Sequence, residues 1–390
     1  MKRIIAIMML PALLLCTGCA DSGSIYSNYR EVEQMQLIRT LGFDRKKEQI
    51  RLSISGGSSS SGSSSQSTEG GSGSASIIRM TADGDSITDA IEQLQDYTNW
   101  EELFYAHAQY FLVGEDCARN TLSVVLAYNQ DSRQLRSDMP LFVVKGDTAE
   151  NLVLHCGGKD SDITEALDSI VRDSEKRGDG HAFTCGDIVA ALAEYGAALA
   201  PALEVQSTKE VNESADEKQV SPLPAGYAIL KEDRLVGFIH PEHSRGVNLL
   251  IGESGTGTVT LDTKESGTVA LTFTKGKVDL YPIWADSGEL TGIRAKIKVT
   301  AYVEEADDPK KLDRQVITDQ FSSMLEGWVG KVLQQMSDTG ADFLGIGHQL
   351  RRKEPQKWDS MPTAWEEAIS QLSFDILSDC EILRLEELKD

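Results

Sequence analysis

Residues 293–303 read IRAKIKVTAYV, and this stretch decides the fold. Ile293, Ala295, Ile297, Val299, Ala301 and Val303 alternate with Arg294, Lys296, Lys298, Thr300 and Tyr302. A period of two puts one face of a strand in a core and the other in water, as in an antiparallel sheet covered on one side. The cover follows directly. Asp308 is the predicted cap and Pro309 the first position of a helix whose stripe is Ile317, Phe321, Met324, Leu325, Trp328, Val332 and Met336. A stripe of this kind is core rather than a ligand box.

Further strands are predicted upstream at 226–230, 235–239, 247–251, 257–262, 268–274 and 277–283. Residues 204–224 are polar, lack aromatics and contain Pro222 and Pro224, so they are expected to be a linker. Before them the pattern changes to alternating helices and strands. A short helical turn over 31–41 leads into a strand at Gly42-Phe43-Asp44, and 50–55 is its hairpin partner. Strands are predicted at 77–82, 105–113 and 141–145. Helices are predicted after Asp85 or Ser86, at 117–129, at 162–176 and at 184–199. Of residues 56–76, 17 of 21 are Gly or Ser, which cannot bury enough apolar surface to offset ordering entropy. They are expected to be a flexible spacer about 25 Å across.

The fold class is therefore α+β and multi-domain, with mixed or antiparallel sheets each covered by helices. An α/β region spans 19–203, divisible near 24–145 and 146–203. A strand-rich domain spans 225–390.

Composition bounds the function. The 390 residues carry a formal net charge of −23, with 40% hydrophobic and 25% charged residues. Neutralising phosphates needs clustered Lys and Arg, so nucleic-acid binding is excluded as a main role. The start of the chain has a different character. Lys2 and Arg3 precede an apolar run at 4–15, too short to span a bilayer, and then Thr17-Gly18-Cys19. This is similar to a bacterial lipobox, with residues 1–18 as signal peptide and Cys19 as the site of a diacylglycerol thioether. Cys16 stands where the lipobox usually has Leu. Loss of Lys2 and Arg3 with the signal would leave a charge of −25. Cys117, Cys156, Cys185 and Cys380 are far apart with no C-x-x-C pair, and are expected as buried free thiols.

Catalytic patterns fail on their own chemistry. Gly84-Asp85-Ser86-Ile87 is like one esterase nucleophile block, but no His has an Asp three residues before it to complete a dyad. No G-x-S-x-G, H-E-x-x-H or Walker lysine occurs. Gly252 to Thr258 is expected to be a hairpin turn. His240 and His243 offer two metal ligands without a third. No enzyme activity and no cofactor beyond the covalent lipid are expected.

Several segments together resemble the Ger(x)C lipoproteins, the C subunits of bacterial spore nutrient-germinant receptors. They are the Arg30–Asp44 segment REVEQMQLIRTLGFD, then Tyr105-Ala106-His107 with Leu112-Val113-Gly114-Glu115. Next come residues 227–239 with Ser244-Arg245-Gly246. The last and most specific block is Ala341-Asp342-Phe343-Leu344-Gly345-Ile346-Gly347 with Leu350-Arg351-Arg352-Lys353, Pro355 and Trp358. Departures are Cys16, the tether tyrosines Tyr26 and Tyr29 where Trp-Asp is usual, and the Gly/Ser spacer. The resemblance implies a non-enzymatic, lipid-anchored protein on the outer face of the inner membrane of the spore. Its implied partners are the A and B receptor subunits. Arg351, Arg352 and Lys353 are the candidate partner-binding patch on an otherwise acidic surface. The alternative function is a lipid-anchored solute-binding protein serving a transporter, which would have two similar lobes around a cleft. A lipid-anchored hydrolase is disfavoured by the missing nucleophile–base pair.

Overall fold

The structure, a computed structural model, describes residues 35–58, 77–98, 102–157, 161–208, 219–274 and 276–383. The lipobox with Cys19 and most of the Gly/Ser spacer lie outside these residues.

The first sheet begins with β1 (Met35–Lys46), β2 (Gln49–Ser58) and β3 (Ile77–Gly84), joined as antiparallel neighbours. Helix α1 (Ile87–Asp96) is capped by Ser86, whose Oγ accepts from Asp89 N at 3.1 Å. Strands β4 (Glu102–Phe104) and β5 (Tyr110–Gly114) follow, then helices α2 (Glu115–Asn120) and α3 (Leu122–Asp131). Next come β6 (Leu141–Lys145), α4 (Ala149–His155), α5 (Ile163–Arg177) and α6 (Cys185–Tyr195). Strands β7 (Ala197–Thr208), β8 (Gln219–Lys231) and β9 (Arg234–Ile239) complete it. The order is β3-β2-β1-β5-β6-β7-β8-β9, with β4 beside β1. Strands β1, β5, β6 and β7 are parallel, and the flanks are antiparallel. Phe111 and Val113 pack with α1, α3 and α6, while Tyr110 and Leu112 pack with α4 and α5 on the other face. Burial on both faces explains the unbroken apolar runs YFLV and LFVV.

The second unit opens with α7 (Ser244–Ile251), then β10 (Gly257–Thr263), β11 (Gly267–Phe273), β12 (Lys277–Trp284) and β13 (Leu290–Ala306). Helix α8 (Arg314–Thr339) covers this sheet with Ile317, Phe321, Leu325, Val329, Val332 and Met336. Short helices α9 (Ile346–Lys353), α10 (Pro355–Asp359) and α11 (Trp365–Ala368) lead to β14 (Ser373–Leu383), which pairs parallel to β13. The α+β class and the sheet with its long packing helix are as expected. A nine-stranded mixed sheet beside a five-stranded one is not a pair of similar lobes.

Several expectations are corrected. Residues 35–41 are strand, because a β-bulge between Ile38 and Thr40 breaks the alternation and leaves apolar residues at helix-like spacing. Residues 56–58 belong to β2, where Gly56 lies so close to β1 that an added Cβ would meet Leu37 O at 2.1 Å. The segment 105–113 is interrupted by a 3-10 turn at Tyr105–His107, and the helix at 117–129 is broken at Thr121. Residues 197–199 begin β7, because Gly196 ends α6 in a left-handed conformation.

The described residues of the expected linker are strand. Pro222 pairs with Val205 and Pro224 with Leu203. β9 joins β8 only over residues 227–231, so these prolines sit where that edge of β8 lacks a β9 partner and no ladder N–H is needed. Residues 247–251 form helix α7, and the Gly252 stretch connects a helix to a strand rather than two strands. The cap of α8 is Asp313, with Pro309 opening a separate 3-10 turn. Cys117, Cys156 and Cys185 are buried free thiols, whereas Cys380 is half-buried.

Candidate functional site

The most specific sequence block lies just after α8. Gly340 ends that helix and Gly345 starts α9, both with positive φ that glycine adopts without a Cβ penalty. Between them Asp342 is buried. Its Oδ1 accepts from Ile346 N at 2.7 Å, and its Oδ2 from Gly347 N at 2.8 Å and Trp365 Nε1 at 3.0 Å. Burial pushes this carboxyl up, and the three donors pull it back. One carboxylate thus caps α9 and fixes an indole ring.

The glycines make room for rings. A Cβ on Gly347 would lie 2.7 Å from Trp365 Nε1, and one on Gly345 would lie 2.7 Å from the Tyr195 ring. Trp358 and Trp365 stand 5.4 Å apart between ring centres. Tyr195 meets His348 edge-on at 5.0 Å, and His348 Nδ1 lies 2.9 Å from Glu194 Oε1. The end of α6 is thereby docked on α9. A cleft of about 410 Å³ opens between them, lined by Tyr195, Lys231, Arg351, Trp358 and Trp365 among others.

The three bases of α9 diverge, because consecutive helix positions are about 100° apart. Arg351 lines the cleft and pairs with Asp359 at 3.1 Å. Lys353 instead donates to Leu280 O on β12 and lies 4.1 Å from the centre of the Tyr281 ring. Arg352 is exposed. They do not converge on one point.

The other motif residues are structural. Asp44 accepts from Ala149 N at 2.9 Å and Glu150 N at 2.8 Å, capping α4, and burial pushes its carboxyl up to about 6. A Cβ on Gly114 would fall 2.0 Å from Asp44 Oδ1, which ties the glycine that ends β5 to the Asp of β1. Glu115 accepts from Gly146 N at 2.7 Å and pairs with Arg119. The guanidinium of Arg245 lies over Phe273 and Trp328, at 5.6 and 5.4 Å from their ring centres. Gly246 admits the backbone of Trp328, whose carbonyl oxygen would be 2.4 Å from a Cβ. Tyr195 and Trp365 were missed in the sequence. Tyr195 is one position within the helix predicted at 184–199, and Trp365 has no motif around it.

Ser86 is a helix cap, as its position before Ile87 suggested. His240 and His243 have ring centres 6.3 Å apart. Among the described residues no group of three His, Cys, Asp or Glu is placed to hold a metal.

Two family models match in order. The spore germination protein N-terminal domain matches residues 28–205, and the spore germination B3/GerAC-like C-terminal domain matches residues 225–386. The chain belongs to the Ger(x)C family. One relative is spore germination protein KC of Bacillus subtilis (strain 168), 21% identical over 404 residues, covering 98% of this chain and 96% of the relative. The crystal structure of the GerBC protein has the same fold, with a TM-score of 0.50 and 17% identity over 88% of this chain and 97% of that one. The C-terminal match includes the Ala341–Trp358 block, several of whose residues line the cleft.

Proposed function

We propose that this protein is a non-enzymatic, lipid-anchored subunit of a spore nutrient-germinant receptor, held on the outer face of the inner membrane. The observation that carries this is the order of segments: Thr17-Gly18-Cys19, then the two germination domains over 28–205 and 225–386. A diacylglycerol thioether on Cys19 gives two chains, each buried CH₂ contributing about 0.8 kcal/mol. That is enough to hold an acidic chain at a bilayer that its surface charge disfavours. Confinement raises the effective concentration toward integral A and B subunits, so modest contacts suffice for assembly. Motif side chains are spent on caps and ring packing, which supports a scaffold rather than a catalyst.

Labelled palmitate is expected to enter the wild-type chain. In Cys19→Ala it is expected to vanish, with the protein moving to the soluble fraction and the spores responding poorly to nutrients. A Cys19→Ala protein that still sediments with membranes and supports normal germination would overturn the anchor.

A further inference from the structure

We propose that the cleft between α6 and α9 binds a small organic ammonium ion. Two cavities differ sharply in what they can hold. The crevice beside His181 and Tyr227 is about 30 Å³, room for about one water. The cleft beside Trp358 and Trp365 is about 410 Å³, within the range of small-molecule sites. It lies where the end of the first sheet meets the 340–369 segment, at the junction of the two germination domains.

Its aromatic wall is held in place. Trp365 is fixed through Nε1 by the Asp342 carboxylate, and Trp358 packs on it. Neither tryptophan is fully buried, and both line the cleft. Indole faces attract cations through their quadrupole, more strongly where water is reduced.

The charges give the sign of the ligand. Of the two permanent cations of the lining, Arg351 is paired with Asp359, whereas Lys231 donates to Thr339 O at 3.3 Å and keeps its charge; three carboxylates, Glu194, Glu232 and Glu366, stand against them. Among the carboxylates, Glu194 is held by His348. Glu232 has only Arg234 at 3.7 Å, and Glu366 has no hydrogen bond or ion pair among the described residues. Loosely held acids beside two indoles that line the cleft, on a chain of charge −23, favour an ammonium and disfavour an anion. This inference does not depend on the receptor assignment, because it uses only the cleft.

The test uses chain 19–390 with choline as probe. Its uncharged carbon isostere, in which a tert-butyl group replaces the trimethylammonium, is the control. Choline is expected to change tryptophan fluorescence saturably and to raise the melting temperature, and the isostere to do neither. Trp358→Leu is expected to abolish the response. Glu366→Gln, on an exposed residue outside the packing framework, is expected to weaken binding at least about fivefold with the melting temperature of the free protein unchanged. The proposal is overturned by an equal response to the isostere, by no saturation up to about 10 mM, the weak end for so small a ligand, or by wild-type affinity in Glu366→Gln.

Discussion

Asp44 and Asp342 share a design: a buried carboxylate spends its oxygens on backbone amides at a helix start. For Asp44, burial outweighs the donors, and the pKa rises from an ordinary carboxylate value to about 6. The folded state therefore binds more protons than the unfolded one between about pH 4 and 6, and this residue's contribution falls as pH rises through that window. Above about pH 6 the loss is complete. Relative to Asp44→Asn, wild-type stability in urea melts should decline by roughly 2–3 kcal/mol across the window and then run parallel. A difference that stays flat from pH 4 to 7 would sink the burial account. The residue scale is also where sequence was most and least informative. Asp342, Gly345 and Gly347 stand out as a motif, but Trp365, the partner of Asp342 and Gly347, lies 18 residues beyond Gly347 and is identified only by its contacts in the fold.

Among the elements, α7 teaches most about what alternation hides. Residues 247–251 are aliphatic but for Asn248 and look strand-like, yet they form a helix that Gly252 ends in a left-handed turn and that Gly246 seats on α8. β14 lies outside the strands predicted from the sequence: its alternation of Phe374, Ile376, Cys380 and Ile382 with Asp375, Asp379 and Glu381 is broken at Leu377-Ser378, and its partners on β13 are 81 residues away. Its uncovered edge is partly closed by α8: Ser378 N donates to Glu326, and Arg314 donates to Ile382 O. Two glycines of this helix pair make opposite predictions. Gly246→Ala puts a methyl against the Trp328 backbone and should cost about 1–3 kcal/mol by forcing the helices apart. Gly327→Ala, with nothing within 4 Å of the new Cβ, should stabilise α8 by roughly 0.5–1 kcal/mol. Chemical melts of the two variants check this, and changes of the same sign would refute the packing argument.

At the scale of the molecule, the domain boundary legible in the sequence does not coincide with the boundary of the sheets. The C-terminal germination domain begins at residue 225, yet β8 and β9 are strands of the first sheet. Tyr227, Ile229 and Ile239 from those strands, with Ala197 and Leu199 from β7, pack into the core beneath α8. Ala228 and Leu230, from the same strands, pack into the other core. Polar composition and two prolines mark a linker because composition records average polarity, and cannot record that 204–208 and 219–224 continue a ladder in which Val220 and Pro222 are buried. Separating the chain between 224 and 225 would split β8, strip residues 197–201 of β7 of their partners at 227–231, and open both cores at once. Chains 19–224 and 225–390 are therefore expected to be poorly soluble when expressed singly and to copurify as a complex when expressed together. The intact protein should unfold in one transition, with tryptophan fluorescence and far-ultraviolet dichroism coincident. If 225–390 alone unfolds cooperatively at the melting temperature of the whole chain, the two cores are independent and the continuous sheet is only an adjacency.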